Sequence, residues 1–384
     1  MKIIRNLAVT LLAMLSFITF NAFAAIDPAA PIVRLNITCS NGAGGTLDNC
    51  FTSSNSLTAW LSATRKPNVS TPLRVDIGPG TFTGTLKLTC SPASGYTGYI
   101  SFVGSGRQQT TIKGNEYLAP ISVSACTELN FSAFTVNGPL YGGVQWNGGG
   151  RSNWIDMTIN GLARAWYEEG CSSTPGAHYW FSSQLKATAG FSIAETYRAS
   201  CDVSWFFGSE LTVSVPTNAY PAGGGTVTAF GVGEIHVYGS VLRALVDGDT
   251  GDNLAAAFAR GGKIHIHGTG IDVISNTGKN ITALSVDSNG EIHANQSSFF
   301  LSSGSGAKVT RIKNLGGHIH APYLWEHIPN PSTVPNFVSA NGADMSVVTT
   351  GTSDGQPHTV IYSTTCASIS PAAAWWDAVD KVCR

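Results

Sequence analysis

The sequence predicts an all-β protein, a single-stranded parallel β-helix whose short strands wind into stacked coils. Three observations predict it. The first is a repeat. Phe131-Ser-Ala-Phe-Thr-Val-Asn-Gly138 returns as Trp154-Ile-Asp-Met-Thr-Ile-Asn-Gly161, 23 residues on. Trp180-Phe-Ser-Ser-Gln-Leu185 follows 26 residues later and Phe206-Phe-Gly-Ser-Glu-Leu211 another 26 later. Val237-Tyr-Gly-Ser-Val-Leu242 comes after 31 more. Gly233-Glu-Ile-His236, Gly262-Lys-Ile-His265, Gly290-Glu-Ile-His293 and Gly317-His-Ile-His320 share a tighter form, spaced 29, 28 and 27. The second observation is alternation within each unit, which puts Ile235, Ile264, Ile292 and Ile319 on one face and the histidines on the other. The third is punctuation: 43 glycines in 384 residues, with Gly, Ser or Asn between strands and almost no helical period.

A strand of five residues cannot bury an apolar face alone, and stacked coils join such faces into one core. A β-propeller needs a longer repeat of about 40–45 residues. Charged residues are 12% of the chain and aromatics 10%, which excludes a disordered chain. A net charge of −1 leaves no basic footprint for nucleic acid.

Taken in order, the chain opens with Lys2 and Arg5, an apolar stretch from Leu7 to Phe20 and Ala22-Phe23-Ala24. That is the pattern of a signal peptide over residues 1–24, with a mature chain from Ala25 that is secreted or periplasmic. No second apolar run follows that would span a membrane. Residues 25–384 read as one β-helix domain and as a monomer. Ser56 to Arg65 can form a short helix with Leu57, Trp60 and Leu61 on one face, capping the first coil. Ser332 to Gly355 lacks periodicity and reads as loop-rich. Ser370-Pro371 is a helix start, so Ala372 to Val382 reads as a C-terminal capping helix within a cap of about 366–384. All eight cysteines follow the leader, an even count that reads as disulfides in an exported chain. Spacing suggests neighbours: Cys39–Cys50, Cys90–Cys126, Cys171–Cys201 and Cys366–Cys383.

Val75-Asp-Ile-Gly-Pro-Gly-Thr-Phe82 and Ile100-Ser-Phe-Val-Gly-Ser-Gly-Arg-Gln-Gln-Thr-Thr-Ile-Lys-Gly114 resemble the pectin methylesterase family, and Val203-Ser-Trp-Phe-Phe-Gly208 is similar to its later signature. The resemblance spans roughly residues 55–215. It implies the right-handed form of the β-helix and a pectin-like polysaccharide partner. In that family one aspartate attacks the ester carbonyl, a second is general acid/base, and Gln side chains stabilise the oxyanion. Carried over by motif, the Gln-Asp pair falls on Ala163-Arg164, and the nucleophile falls on Ser204, or on Gly190 by coil register. None of these is a carboxylate. The expected function is therefore to engage polysaccharide without that esterase chemistry.

Two alternatives stand beside it. One is an active esterase, hydrolase or lyase using displaced groups, for which Arg164, Glu169, Asp202 and Ser204 are the candidate catalytic residues. Glu168 and Glu195 are further carboxylates near the same groove. The other is an adhesin or structural protein that uses its polar flank. Outward aromatic candidates for sugar contact are Trp166, Tyr167, Tyr179 and Trp205, while Trp154, Trp180 and Phe206 read as an inward row. No cofactor is expected. His236, His265, His293 and His320 stack about one coil apart, so adjacent imidazoles can share a Zn or Cu ion, or simply form a polar ladder.

Overall fold

The computed structural model describes residues 30–39, 50–115, 117–139, 142–168, 170, 175–189, 193–217, 219, 221, 223–248, 253–276, 281–304, 309–329, 337–339, 344–353, 356–363, 376–377 and 382–383. Each full coil has three strands. One coil comprises Arg151–Ile155, Thr158–Leu162 and Arg164–Glu168; the next comprises Ala177–Phe181, Gln184–Thr188 and Ala194–Ala199. Strands of these successive coils pair in parallel: Trp154 faces Trp180, which faces Phe206, and Ile159 faces Leu185, which faces Leu211. The third strands form a ten-stranded sheet. The chain is thus the parallel β-helix that the repeat predicts.

Strict register stacks like on like. Phe102, Phe131, Trp154, Trp180 and Phe206 form one buried column, with ring centroids 5.2, 4.0, 4.8 and 5.6 Å apart. Ile235, Ile264, Ile292 and Ile319 are fully buried in the next column.

The corner between first and second strands explains the Gly-Ser motif. Its leading residue takes a left-handed conformation in coil after coil: Ser182, Gly208, Gly239 and Gly268 have φ of 49, 56, 52 and 55°. The following hydroxyls form a ladder. Ser183 N–H donates to Ser209 Oγ (3.2 Å), and Ser209 N–H donates to Ser240 Oγ (3.0 Å). The Gly of each Gly-x-Ile-His motif answers a different need. A Cβ at Gly233, Gly262, Gly290 or Gly317 would lie 2.3–2.6 Å from a backbone carbonyl oxygen of the preceding coil.

The third strand bends, and the bend breaks the alternation. Pairing skips Ala165/Thr196, Thr196/Thr226, Thr226/Ala256 and Ala256/Ala283 in successive coils. Two consecutive residues therefore face inward, as with Ala165 and Trp166, both fully buried.

At the N-terminal end, Ser54–Trp60 is α-helical and continues as a π-helical turn, Leu61–Arg65. Ser53 Oγ accepts from Ser56 N–H, Leu57 and Leu61 are buried, and Trp60 packs on Phe51. The other end differs from expectation. Asp344–Ser353, inside the stretch read as loop, is a strand parallel to His318–Ile328. Gln356–Ser363 pairs antiparallel with it and covers the last parallel edge, the usual hazard of a sheet end. Within the expected C-terminal helix the described residues are extended: Trp376–Asp377 pairs antiparallel with Val382–Cys383. The small, helix-compatible residues there permit a helix but do not compel one. Cys39–Cys50 and Cys90–Cys126 are disulfides with Cα atoms 5.6 and 5.0 Å apart. Cys201 is also disulfide-bonded; its expected partner Cys171, and Cys366, lie outside the described residues.

Replacing Ser209 with Ala leaves the buried Ser183 N–H without its acceptor. The expected cost is about 1–3 kcal/mol, read as a lower urea midpoint at unchanged m-value.

Candidate functional site

The outer face of the first strands carries rings in register. Five-residue strands with period two send positions two and four inward and one, three and five outward. The middle outward row runs Asn153, Tyr179, Trp205, His236, His265, His293, His320. Tyr179 and Trp205 are half-buried and stack at 4.7 Å and 7°. Trp205 stacks on His236 at 5.5 Å, His236 on His265 at 4.6 Å, and His265 on His293 at 5.2 Å, all within 9° of parallel. Arg151 covers the free face of Tyr179, its guanidinium carbon 5.1 Å from the ring centre. A second row, Phe181, Phe207, Tyr238 and His267, stacks alongside at 5.1–5.4 Å. Because ring faces cover one another along the stack, the rings meet the surface by their edges.

Carboxylates flank the imidazoles. Glu234 Oε1 lies 2.8 Å from His236 Nε2 and 3.3 Å from His265 Nε2. Glu291 pairs with His293 and, at 2.9 Å, with Lys263. Partial burial, then the neighbouring His236, lowers His265 to about 4. Burial also lowers His236, against the pull of Glu234, and lowers His267. The hydrogen bond from His293, then that from Lys263, holds Glu291 down at about 2.

The most connected polar cluster lies inside. Ser152 and His178 face each other across adjacent coils, and both point into the core. Ser152 Oγ is 2.7 Å from His178 Nδ1, and His178 Nε2 is 2.9 Å from Asp202 Oδ2. The indole N–H of Trp154 donates to Ser152 Oγ (2.7 Å), and Gly176 N–H donates to Asp202 Oδ1 (2.5 Å). Taking His178 as neutral, this set assigns the proton to Nε2, donated to Asp202, while Nδ1 accepts from Ser152. The order serine, histidine, aspartate matches a nucleophilic triad. Yet Ser152 and Asp202 have no exposed surface and His178 has 1%, so no substrate reaches them. Nearby, Glu168 Oε2 accepts backbone N–H groups of Ser200, Cys201 and Asp202 at 2.8–3.2 Å. Burial, then the charge of Asp202, pushes its carboxyl up, against those three donors. Ser152, His178 and Asp202 thus satisfy one another as a polar plug between apolar columns, while Glu168 Oε1 beside them is buried without a hydrogen-bond partner.

Sequence reasoning passed over Ser152 and His178, although the signal was present. Ser152, His178 and Ser204 each sit two residues before an inward ring, so alternation places all three inside.

Of the catalytic candidates, Asp202 is held in this plug, and Ser204 is buried against Tyr197 Oη at 2.6 Å. Arg164 lies on the third-strand sheet, its Nε 2.8 Å from Glu195 Oε2. Glu169 lies outside the described residues. The three described candidates, Arg164, Asp202 and Ser204, do not converge on one solvent-facing point. Of the aromatic candidates, Tyr179 and Trp205 come together on the outer face. Trp166 does not: the third-strand bend turns it inward, where it stacks on Trp146 and Tyr197 at 5.5 Å each. Tyr167 points outward but is only 7% exposed beneath Arg164. Of the histidines, His236, His265 and His293 stack in parallel, while His320 is tilted by 47° at 6.0 Å from His293.

No family model matches the sequence, and no curated protein matches it. Solved structures similar to the chain are those of other β-helix proteins. One is pectin methylesterase PemA from Erwinia chrysanthemi, 11% identical with a TM-score of 0.43 over 77% of this chain and 90% of that one. Another is a pectin methylesterase mutant in complex with a hexasaccharide, 10% identical with a TM-score of 0.42 over the same shares. A third is the A-module of mannuronan C-5 epimerase AlgE4 from Azotobacter vinelandii, 13% identical with a TM-score of 0.40 over 75% and 91%.

Two outcomes follow from the geometry. His178→Ala leaves the Asp202 carboxyl and Ser152 hydroxyl buried without their partner, and costs about 1–3 kcal/mol for each group left unsatisfied, read in urea unfolding. Acid destabilises the ladder. His265 takes its proton near 6.5 when unfolded but near 4 when folded, so stability falls as pH drops from 6.5 to 4. Glu291 extends the loss from 4.5 towards 2, while the raised Glu168 opposes it over its own range. Partial exposure reduces the His265 contribution to about 1–2 kcal/mol. Urea midpoints at pH 7.5 and 4.5 check it, and His265→Gln flattens the upper window.

Proposed function

We propose that the protein is an exported β-helix that engages an extended, pectin-like polysaccharide along the outer ring ladder, without the paired-aspartate esterase mechanism. The observation that carries this reading is the Tyr179–Trp205–His236–His265–His293 stack, one ring per coil on a flat face. Coils repeat at about 4.8 Å, close to the length of one pyranose unit in an extended chain. A polymer laid along the helix axis thus meets one polar ring edge per sugar. Mutual stacking already holds the rings, so binding orders few side chains. Recognition runs through edges and hydroxyl groups, not through sugars lying flat on exposed ring faces.

Export is supported by the leader pattern and by disulfides, which persist in oxidising compartments. Among the described residues no helix is long and apolar enough to cross a membrane. The absence of the paired-aspartate mechanism rests on the residues at its positions: Ala163, Arg164, and Ser204 or Gly190.

Affinity electrophoresis in gels carrying methyl-esterified homogalacturonan, its de-esterified form or a neutral glucan tests the reading. Retardation by homogalacturonan is expected. Trp205→Ala and Tyr179→Ala each weaken it about tenfold or more, the scale of one or two lost hydrogen bonds, with the coils retained by far-UV circular dichroism and thermal midpoints lowered only by the lost ring stacking. Methanol is not expected to form in the methyl-esterified sample. Retardation unchanged in both variants sinks the ladder as the binding face, and methanol release sinks the non-esterase reading.

A further inference from the structure

Independently of the polysaccharide reading, we infer a transition-metal site at the middle of the ladder: Glu234, His236 and His265 hold one divalent ion of the Zn²⁺ or Cu²⁺ class between two adjacent coils. Parallel register creates the site. Glu234 and His236 are two apart on one strand and share its outer face, and His265 lies directly opposite His236 on the next coil. Two imidazole nitrogens therefore converge on one carboxylate oxygen, at 2.8 and 3.3 Å. The three ligand atoms lie within 4.8 Å of one another.

The 3.3 Å separation suits a metal, and the 2.8 Å pair, a hydrogen-bond distance, opens by about half an ångström when an ion replaces the shared proton. A tetrahedral ion about 2.0–2.1 Å from each ligand holds its ligands about 3.3–3.4 Å apart. One nitrogen of the set has no other use. His265 Nε2 is buried and lacks a hydrogen-bond partner, because its approach to Glu234 is not aligned for one. An unused nitrogen inside a carboxylate–imidazole cluster is a ligand atom awaiting an acceptor of its lone pair. The other nitrogen of His236 faces Tyr238 Oη at 3.4 Å, the kind of contact that fixes the orientation of a ligating ring. Two nitrogens and one oxygen select Zn²⁺ or Cu²⁺ over Ca²⁺ or Mg²⁺.

The remaining ladder histidines stand apart from this site. His293 is engaged by Glu291, which Lys263 also holds. His320 is tilted out of the stack. The three side chains are 17–33% exposed although His265 Nε2 itself is buried, so the site lies just beneath the surface, and a tetrahedral ion there keeps a fourth position for a ligand other than these three. A protein with three ligands and an open position can take a water or a hydroxyl-bearing ligand there.

The test is isothermal titration of the untagged, chelator-treated chain with Zn²⁺ and separately with Cu²⁺, alongside thermal unfolding with and without excess ion. One equivalent is expected, with a raised thermal midpoint. Glu234→Gln and His265→Ala each weaken binding at least tenfold and abolish the thermal shift; His320→Ala changes neither. Far-UV circular dichroism of each variant confirms that the coils remain. His265→Gln, which keeps the side-chain bulk, repeats the test if His265→Ala fails to fold. No uptake of either ion overturns the site. So does binding that survives in folded Glu234→Gln and His265→Gln, or that is lost with His320→Ala.

Discussion

The structure depends on the parallel, residue-for-residue register of each coil on the one before. Backbone hydrogen bonds fix that register at every strand, as from Val203–Phe207 to Glu234–Tyr238 and on to Lys263–His267. Once it holds, every side chain meets its counterpart about 4.8 Å away. A residue type that repeats in sequence then becomes a column in space. The Phe–Trp column inside and the Trp–His column outside are two results of one constraint.

The constraint also decides what a coil tolerates. A glycine is needed before each Ile-His pair because the preceding coil's carbonyl occupies the place of a Cβ. A hydroxyl is favoured after each left-handed corner because it accepts the N–H of the coil before it. Where the interior turns polar, around Ser152, His178 and Asp202, the groups satisfy one another instead of reaching solvent. A buried polar chain of this kind favours one stacking register over a slipped one, since a slip would strand a histidine and a carboxylate in an apolar core.

The outer face is chemically different at its two halves. Towards Arg151 it is aromatic and carries Tyr179 and Trp205; towards His293 it is imidazole and carboxylate. Stacked imidazoles remain compatible at neutral pH because partial burial keeps His236 and His265 from charging. The polymer-binding reading draws on the first half and the metal site on the second. Both use the same device, one functional edge per coil.

The sequence alone determined the class of fold, the N-terminal helix and the two faces of the Ile-His strands. Each depends on local alternation or a local cap, such as Ser53 ahead of Leu57 and Leu61. It also marked Tyr179 and Trp205 as outward, because first strands keep period two. Tertiary structure decided the rest. Trp166 is buried because the third strand bends where its pairing skips a residue, and no local pattern announces that bend. Asp202 and Ser204 are internal because three consecutive coils align their polar inward positions, which is a relation between coils. Glu234 joins His236 and His265 because the next coil stacks in register, which brings groups 31 residues apart to one carboxylate oxygen. Periodicity reports which way a side chain points. Only the stacking of coils reports what it meets there.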